Sequence, residues 1–100
     1  MKRIKLKSEY DVFGSKWKIV YKKNLFDGET KIDGLTVYRE KTIYIEKNID
    51  HRRKFETFIH EIMHAVIDET GIDQMDISMD AEQAICENFS RQIGRLIFDE

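Results

Sequence analysis

The spacing of apolar positions changes once along the chain, near residue 50. Before it, β-branched and aromatic residues come in short runs separated by turn residues, which predicts strands. Residues 16–22 (KWKIVYK) form one such run, bounded by Gly14-Ser15 before and Asn24 after. Residues 35–38 and 42–46 form two more, and the Arg39-Glu40-Lys41 step between them predicts a hairpin. Residues 27–34 carry two Asx/Gly turn signals and read as a loop, while residues 3–7 alternate and predict a further strand. After residue 50 the apolar residues recur every three or four positions. Asp50 is a natural N-cap for a helix running to about Glu69 and stopped by Gly71. A second helix is expected from Met79 or Asp80 to Phe98, with Ala81, Ala84, Ile85, Phe89, Ile93, Leu96 and Ile97 as its apolar positions. Strands followed by helices predict an α+β fold, with both helices packed on a small, mostly antiparallel sheet.

Residues 58–67 of the first helix read F-I-H-E-I-M-H-A-V-I, and every residue except His60, Glu61 and His64 is apolar. A helix that is apolar nearly all round is buried on most sides. Two imidazoles and a carboxylate in such a place cost several kcal/mol unless they have partners. Their spacing supplies a reason. His60 and His64 are four residues apart, stacked one turn above the other, and can close on a single tetrahedral metal ion. Glu61 stands beside the pair but rotated from it, within reach of a water on the metal without becoming a ligand. This is the H-E-x-x-H pattern of zinc peptidases. At the chain's own His and Glu frequencies it arises by chance in about one chain in a hundred. The alternative is a pair of core histidines bonded to backbone or carboxylates.

A catalytic zinc takes three protein ligands and keeps one position open. One straight helix cannot supply all three, so Asp68, although it continues the row, is read as an assisting acceptor or a last-turn residue. His51 lies about two turns away and is read as a surface residue near the cap. The third ligand is expected from the second helix, where Glu82 and Glu87 face about 140° apart. Glu87 is the first choice, because Ala84, Ser90 and Gly94 flank it with small side chains that would let the helices approach closely. Glu82 is the alternative, or a solvated surface residue. Cys86 is read as a small buried hydrophobe rather than a ligand. Asp73, Asp76 and Asp80 lack the pattern of a calcium loop and read as a polar connection with a helix cap.

At 100 residues the chain fits one domain, residues 1–100. A single cysteine excludes an internal disulfide framework and fits a reducing cytoplasm. No apolar run is long enough to span a bilayer, and the basic start Met1-Lys2-Arg3-Ile4-Lys5 lacks the apolar segment of a secretory leader. The net charge of −2 conceals an asymmetry: residues 1–54 hold 15 basic and 8 acidic side chains, residues 55–100 hold 2 and 11. Lysines on strand faces commonly keep a small sheet soluble, and the isoelectric point near 5.9 is low for a dedicated nucleic-acid binder.

Taken with its context, the H-E-x-x-H helix resembles that of the small gluzincin-type zinc peptidases of phages and prophages, related to the ImmA/IrrE metallopeptidases. In that family a second helix carries E-x-x-A-N-x-F-A-x-x-L-L, whose glutamate is the third zinc ligand. Here the pattern falls on Glu87, Ser90, Arg91, Ile93, Gly94, Ile97 and Phe98, departing from the family at Arg91. The strand pair of residues 34–45 resembles the hairpin that precedes the zinc helix, and the likeness covers roughly residues 16–98. It implies a zincin-like fold and one Zn²⁺ per chain held by His60, His64 and Glu87. It implies Glu61 as general base toward a water on the zinc, and a specific protein substrate in the cytoplasm, that of the host cell for a phage protein. Tyr38, Tyr44 and Arg91 are candidates for stabilising the oxyanion. A zinc-stabilised interaction module without proteolysis is the alternative function.

Overall fold

The computed structural model describes residues 5–71 and 78–98. Six strands precede two helices: β1 (Glu9–Val12), β2 (Ser15–Lys22), β3 (Phe26–Asp27), β4 (Thr30–Lys31), β5 (Gly34–Val37), β6 (Thr42–Glu46), α1 (His51–Thr70) and α2 (Met79–Phe98). The fold is α+β, as expected. A four-stranded sheet runs in the order β1-β2-β6-β5, with only the central β2–β6 pair parallel. The short β3–β4 ladder lies within the residues expected to form a loop. The strand expected at residues 3–7 falls partly outside the described residues, and residues 5–7 are not in a strand. The first strand starts at Glu9 and turns into β2 through Phe13 and Gly14, both at positive φ.

The expected hairpin is β5–β6, registered Gly34 to Ile45 and Thr36 to Ile43. Residues opposite one another share a face. Because Ile43 and Ile45 are fully buried, Gly34 and Thr36 also lie on the face that meets α1. A short 3₁₀ turn, Tyr38–Glu40, joins the strands, and Lys41 closes it in the left-handed region at φ 49°. Lys41 Nζ donates to Glu69 Oε2 at 2.6 Å, and Trp17 Nε1–H donates to the same oxygen at 2.8 Å. These bonds tie the last turns of α1 to the sheet. Trp17, Ile19, Ile43 and Ile45 pack under Phe58 and Ala65 of α1, and each buried large side chain there contributes roughly 1.5–3 kcal/mol.

Both ends of α1 follow the sequence. Asp50 caps it by accepting from the Arg53 amide at 2.8 Å, and Gly71 ends it at φ 75°. The cap of α2 is Ser78, whose hydroxyl accepts from the Ala81 amide at 3.0 Å, rather than an aspartate. Asp73 and Asp76 lie outside the described residues. The face of α2 also differs from expectation. Ala81, Ala84, Ile85, Phe89 and Leu96 are exposed, and the helix turns Cys86, Ser90 and Gly94 onto α1. A Cβ on Gly94 would stand 2.8 Å from Glu56 Cγ, so small side chains set the contact distance between the helices. Among the described residues no helix is long and apolar enough to cross a membrane.

Candidate metal centre

His60, Glu61 and His64 occupy consecutive turns of α1, where the helix passes under the edge strand β5 and against the first turns of α2. Glu61 and His64 are buried and His60 half-buried. His60 Nε2 and His64 Nε2 both lie 3.0 Å from one atom, Oε1 of Gln83 on α2. Two imidazole nitrogens a turn apart thus converge on a single position, which is the arrangement a shared cation requires. On its other side His64 meets a carboxylate, with Nδ1 2.5 Å from Glu82 Oε2. A carboxylate at Nδ1 fixes the orientation of the ring and turns its Nε2 edge toward the point of convergence.

On α2 it is Glu82 whose carboxylate contacts His64, at Nδ1 and so on the side of the ring away from the point of convergence. The reason is helical geometry. Glu82, Cys86, Ser90 and Gly94 are spaced by four and form one row, and this row packs on α1. Glu87 lies off it, half-exposed, and accepts from Arg91 at 2.7 Å, on the wall of the cleft that His60 and Glu61 also line. Ala84, which the sequence places in the small stripe, is exposed. The small-residue signal is real, but it belongs to the row that starts at Glu82. Among the described residues no three His, Cys, Asp or Glu side chains form a ready metal cage. The donor types nevertheless suit zinc: two converging imidazoles with a carboxylate at the second ring.

Glu61 is gripped by β5. The Thr36 hydroxyl donates to Glu61 Oε1 at 2.7 Å. A Cβ at Gly34 would come within 2.5 Å of Thr57 Cγ2 and 3.0 Å of Glu61 Oε2, so only glycine allows the strand to lie this close. The cleft between β5, α1 and α2 encloses about 880 Å³ and is polar, with Arg53, Glu56, Gln83 and Ser90 among its walls.

The field around the site is acidic. Burial raises the Cys86 thiol to about 11, and the Glu82 and Glu61 carboxylates push it the same way. Cys86 is fully buried, as expected, with Sγ 3.7 Å from His64 Nδ1. Burial also raises the Tyr38 phenol, followed by Glu82, Glu61 and Asp68, and its ring stands edge-on to Trp17 at 6.2 Å. Of the oxyanion candidates, Arg91 lines the cleft, whereas Tyr38 lies in the 3₁₀ turn and Tyr44 donates to Glu40 of the same turn at 2.9 Å. His51 sits at the start of α1 against the Phe98 ring at 5.9 Å, away from the histidine pair. Asp68 remains on the row of His60 and His64 and accepts from the Gly71 amide through its backbone oxygen.

Three residues at the site carry little signal of their own in the sequence. Gln83 is adjacent to Glu82 and becomes visible only once the face of α2 is fixed. Gly34 reads as part of a turn signal, and Thr36 as an ordinary strand residue. Comparisons with known protein families, with curated proteins and with solved structures find no match to this chain.

Proposed function

We propose that the chain is a zinc-dependent peptidase that hydrolyses peptide bonds in a protein substrate, working in the reducing cytoplasm. The observation that carries this reading is the convergence of His60 Nε2 and His64 Nε2 on one position, with Glu61 beside them and opening on the cleft. His60 and His64 hold the ion. Glu82 braces His64 from its Nδ1 side, away from the ion, and the third ligand is assigned to Glu87, which stands on the wall of the cleft with His60 and Glu61. Bound zinc supplies Lewis-acid chemistry, bringing the pKa of water toward about 7 and polarising the scissile carbonyl. Glu61 takes a proton from the attacking water and returns it to the leaving amine. The free edge of β5, which flanks Glu61, offers backbone hydrogen bonds to an extended peptide.

The interface between α1 and α2 favours one further reading. Its α2 side is built largely of Cys86, Ser90 and Gly94, with one aromatic contact, Phe98 on Phe55 at 5.6 Å, at its far end, so an ion joining the helices would stabilise the fold in its own right. A zinc-stabilised interaction module follows if that is the ion's whole task. Metal analysis and a cleavage assay on the purified chain separate the two. The peptidase reading expects about one zinc per chain, lost in His64→Ala, and EDTA-reversible hydrolysis of unfolded protein. Zinc without hydrolysis favours the module, and no zinc at all overturns both.

A third reading, nucleic-acid binding by the basic half, gains nothing from the strand register. Lys16 and Lys18 of β2 stand opposite Asp11 and Glu9 of β1, so their charges are locally offset.

A further inference from the structure

Both inward positions of β5 act on one side chain. Gly34 and Thr36 alternate with Leu35 and Val37 and face α1. There they meet the two ends of the Glu61 carboxylate. Thr36 Oγ1 donates to Oε1 at 2.7 Å, and Oε2 lies over Gly34, where a Cβ would stand 3.0 Å away. The same hydroxyl lies 3.3 Å from the Glu61 backbone oxygen, so it is seated against the helix turn that carries the carboxylate. Glu61 is buried, and a glutamate has three side-chain torsions to settle before it can serve as a base. A charge-assisted bond from a β-branched residue, itself stiff at χ1, fixes those torsions.

We infer that Thr36 is the positioning residue for Glu61: its hydroxyl occupies Oε1 and leaves Oε2, over Gly34, as the oxygen that takes the proton. In that step the O–H bond of the attacking water breaks, the Oε2–H bond forms, and the oxygen adds to the substrate carbonyl. The scissile C–N bond then breaks as the proton passes from Oε2 to the leaving nitrogen, breaking the Oε2–H bond and forming the N–H bond. The inference rests on the peptidase reading for its chemistry, but the Thr36–Glu61 bond is testable without it.

The test has two arms on the full chain. The first measures thermal unfolding of wild type, Thr36→Val, Glu61→Ala and the double variant. Thr36→Val keeps the shape and β-branching and removes only the hydroxyl, and it is expected to lower Tm by about 5 °C. With Glu61→Ala already present, the same change is expected to cost less than half as much. Equal losses in the two backgrounds overturn the inference. The second arm follows zinc content and hydrolysis of quenched-fluorescent casein. Thr36→Val is expected to keep its zinc and its KM and lose roughly tenfold in kcat, with Thr36→Ser restoring most of it. Unchanged kcat in Thr36→Val overturns the inference alone. A wild type that never cleaves, with non-additive unfolding, overturns the peptidase reading and leaves the Thr36–Glu61 bond standing.

Discussion

Glu82 Oε2 lies 2.5 Å from His64 Nδ1, across the interface between the two helices. This contact sets the orientation of the second imidazole and brings α2 into the site. It also follows from the row of Cys86, Ser90 and Gly94 below it, which lets α2 approach closely enough for a glutamate to reach α1. The orientation of His64 therefore depends on how the helices pack.

Glu82→Ala is expected to weaken zinc binding about tenfold by competition with a chromogenic chelator, the low end of what removing the group behind a ligand costs. Glu87→Ala, which removes the carboxylate on the cleft wall beside His60, is expected to lose the zinc. The reverse pattern, zinc lost in Glu82→Ala and kept in Glu87→Ala, would move the third ligand to Glu82.

The two close-packed glycines should respond differently to alanine. At Gly34 the new Cβ meets the β-branched Thr57 and the anchored Glu61, which have little room to shift. Gly34→Ala should cost about 1–3 kcal/mol, the range for overpacking. At Gly94 the obstacle is the flexible end of Glu56, and the helix gains up to about 1 kcal/mol of propensity from alanine. Gly94→Ala should stay within roughly 1 kcal/mol of wild type in urea unfolding. Equal penalties at the two sites would contradict the contact geometry.

The fold of residues 5–71 is largely legible in the sequence, and the face of α2 is not. Asp50 and Gly71 mark α1 because a cap and a left-handed stop are local chemistry. The β5–β6 hairpin follows from two β-rich runs a short turn apart. On α2, two periodic rows compete: Ile85, Phe89 and Leu96, or Cys86, Ser90 and Gly94. Hydrophobicity favours the first, and the structure uses the second, because along most of the contact α1 meets α2 with His60, His64 and Glu56, and the apolar pair Phe55–Phe98 forms only at the far end. The β1–β2 turn is hidden for a different reason: Phe13 sits at φ 49°, a conformation that its residue type does not advertise. H-E-x-x-H needs no packing information, since both histidines and the glutamate lie on one helix.

Acid should weaken the fold through Glu46. This buried carboxylate accepts from the Leu25 and Asn48 amides and from Lys31 Nζ, fastening the β3–β4 segment to β6. The Leu25 amide is the largest cause, and together these bonds lower its pKa from 4.5 to about 2. A carboxyl whose pKa is lowered on folding adds stability above its unfolded value and loses it as pH falls through the folded one. Thermal unfolding of wild type should therefore drop steeply between pH 4.5 and 2. Glu46→Gln should start lower at neutral pH and fall less across that window, so that the two Tm curves converge. Parallel curves would remove Glu46 from the account.

The most direct test of the central claim is cleavage of unfolded protein by Glu61→Gln, with zinc determined on the same samples. The amide introduced by Glu61→Gln would still accept the Thr36 hydroxyl but could not take a proton. The variant should therefore hold about one zinc per chain and lose hydrolysis by at least a hundredfold, the low end of a general base's contribution. Hydrolysis at the wild-type rate by a zinc-loaded Glu61→Gln would contradict the account.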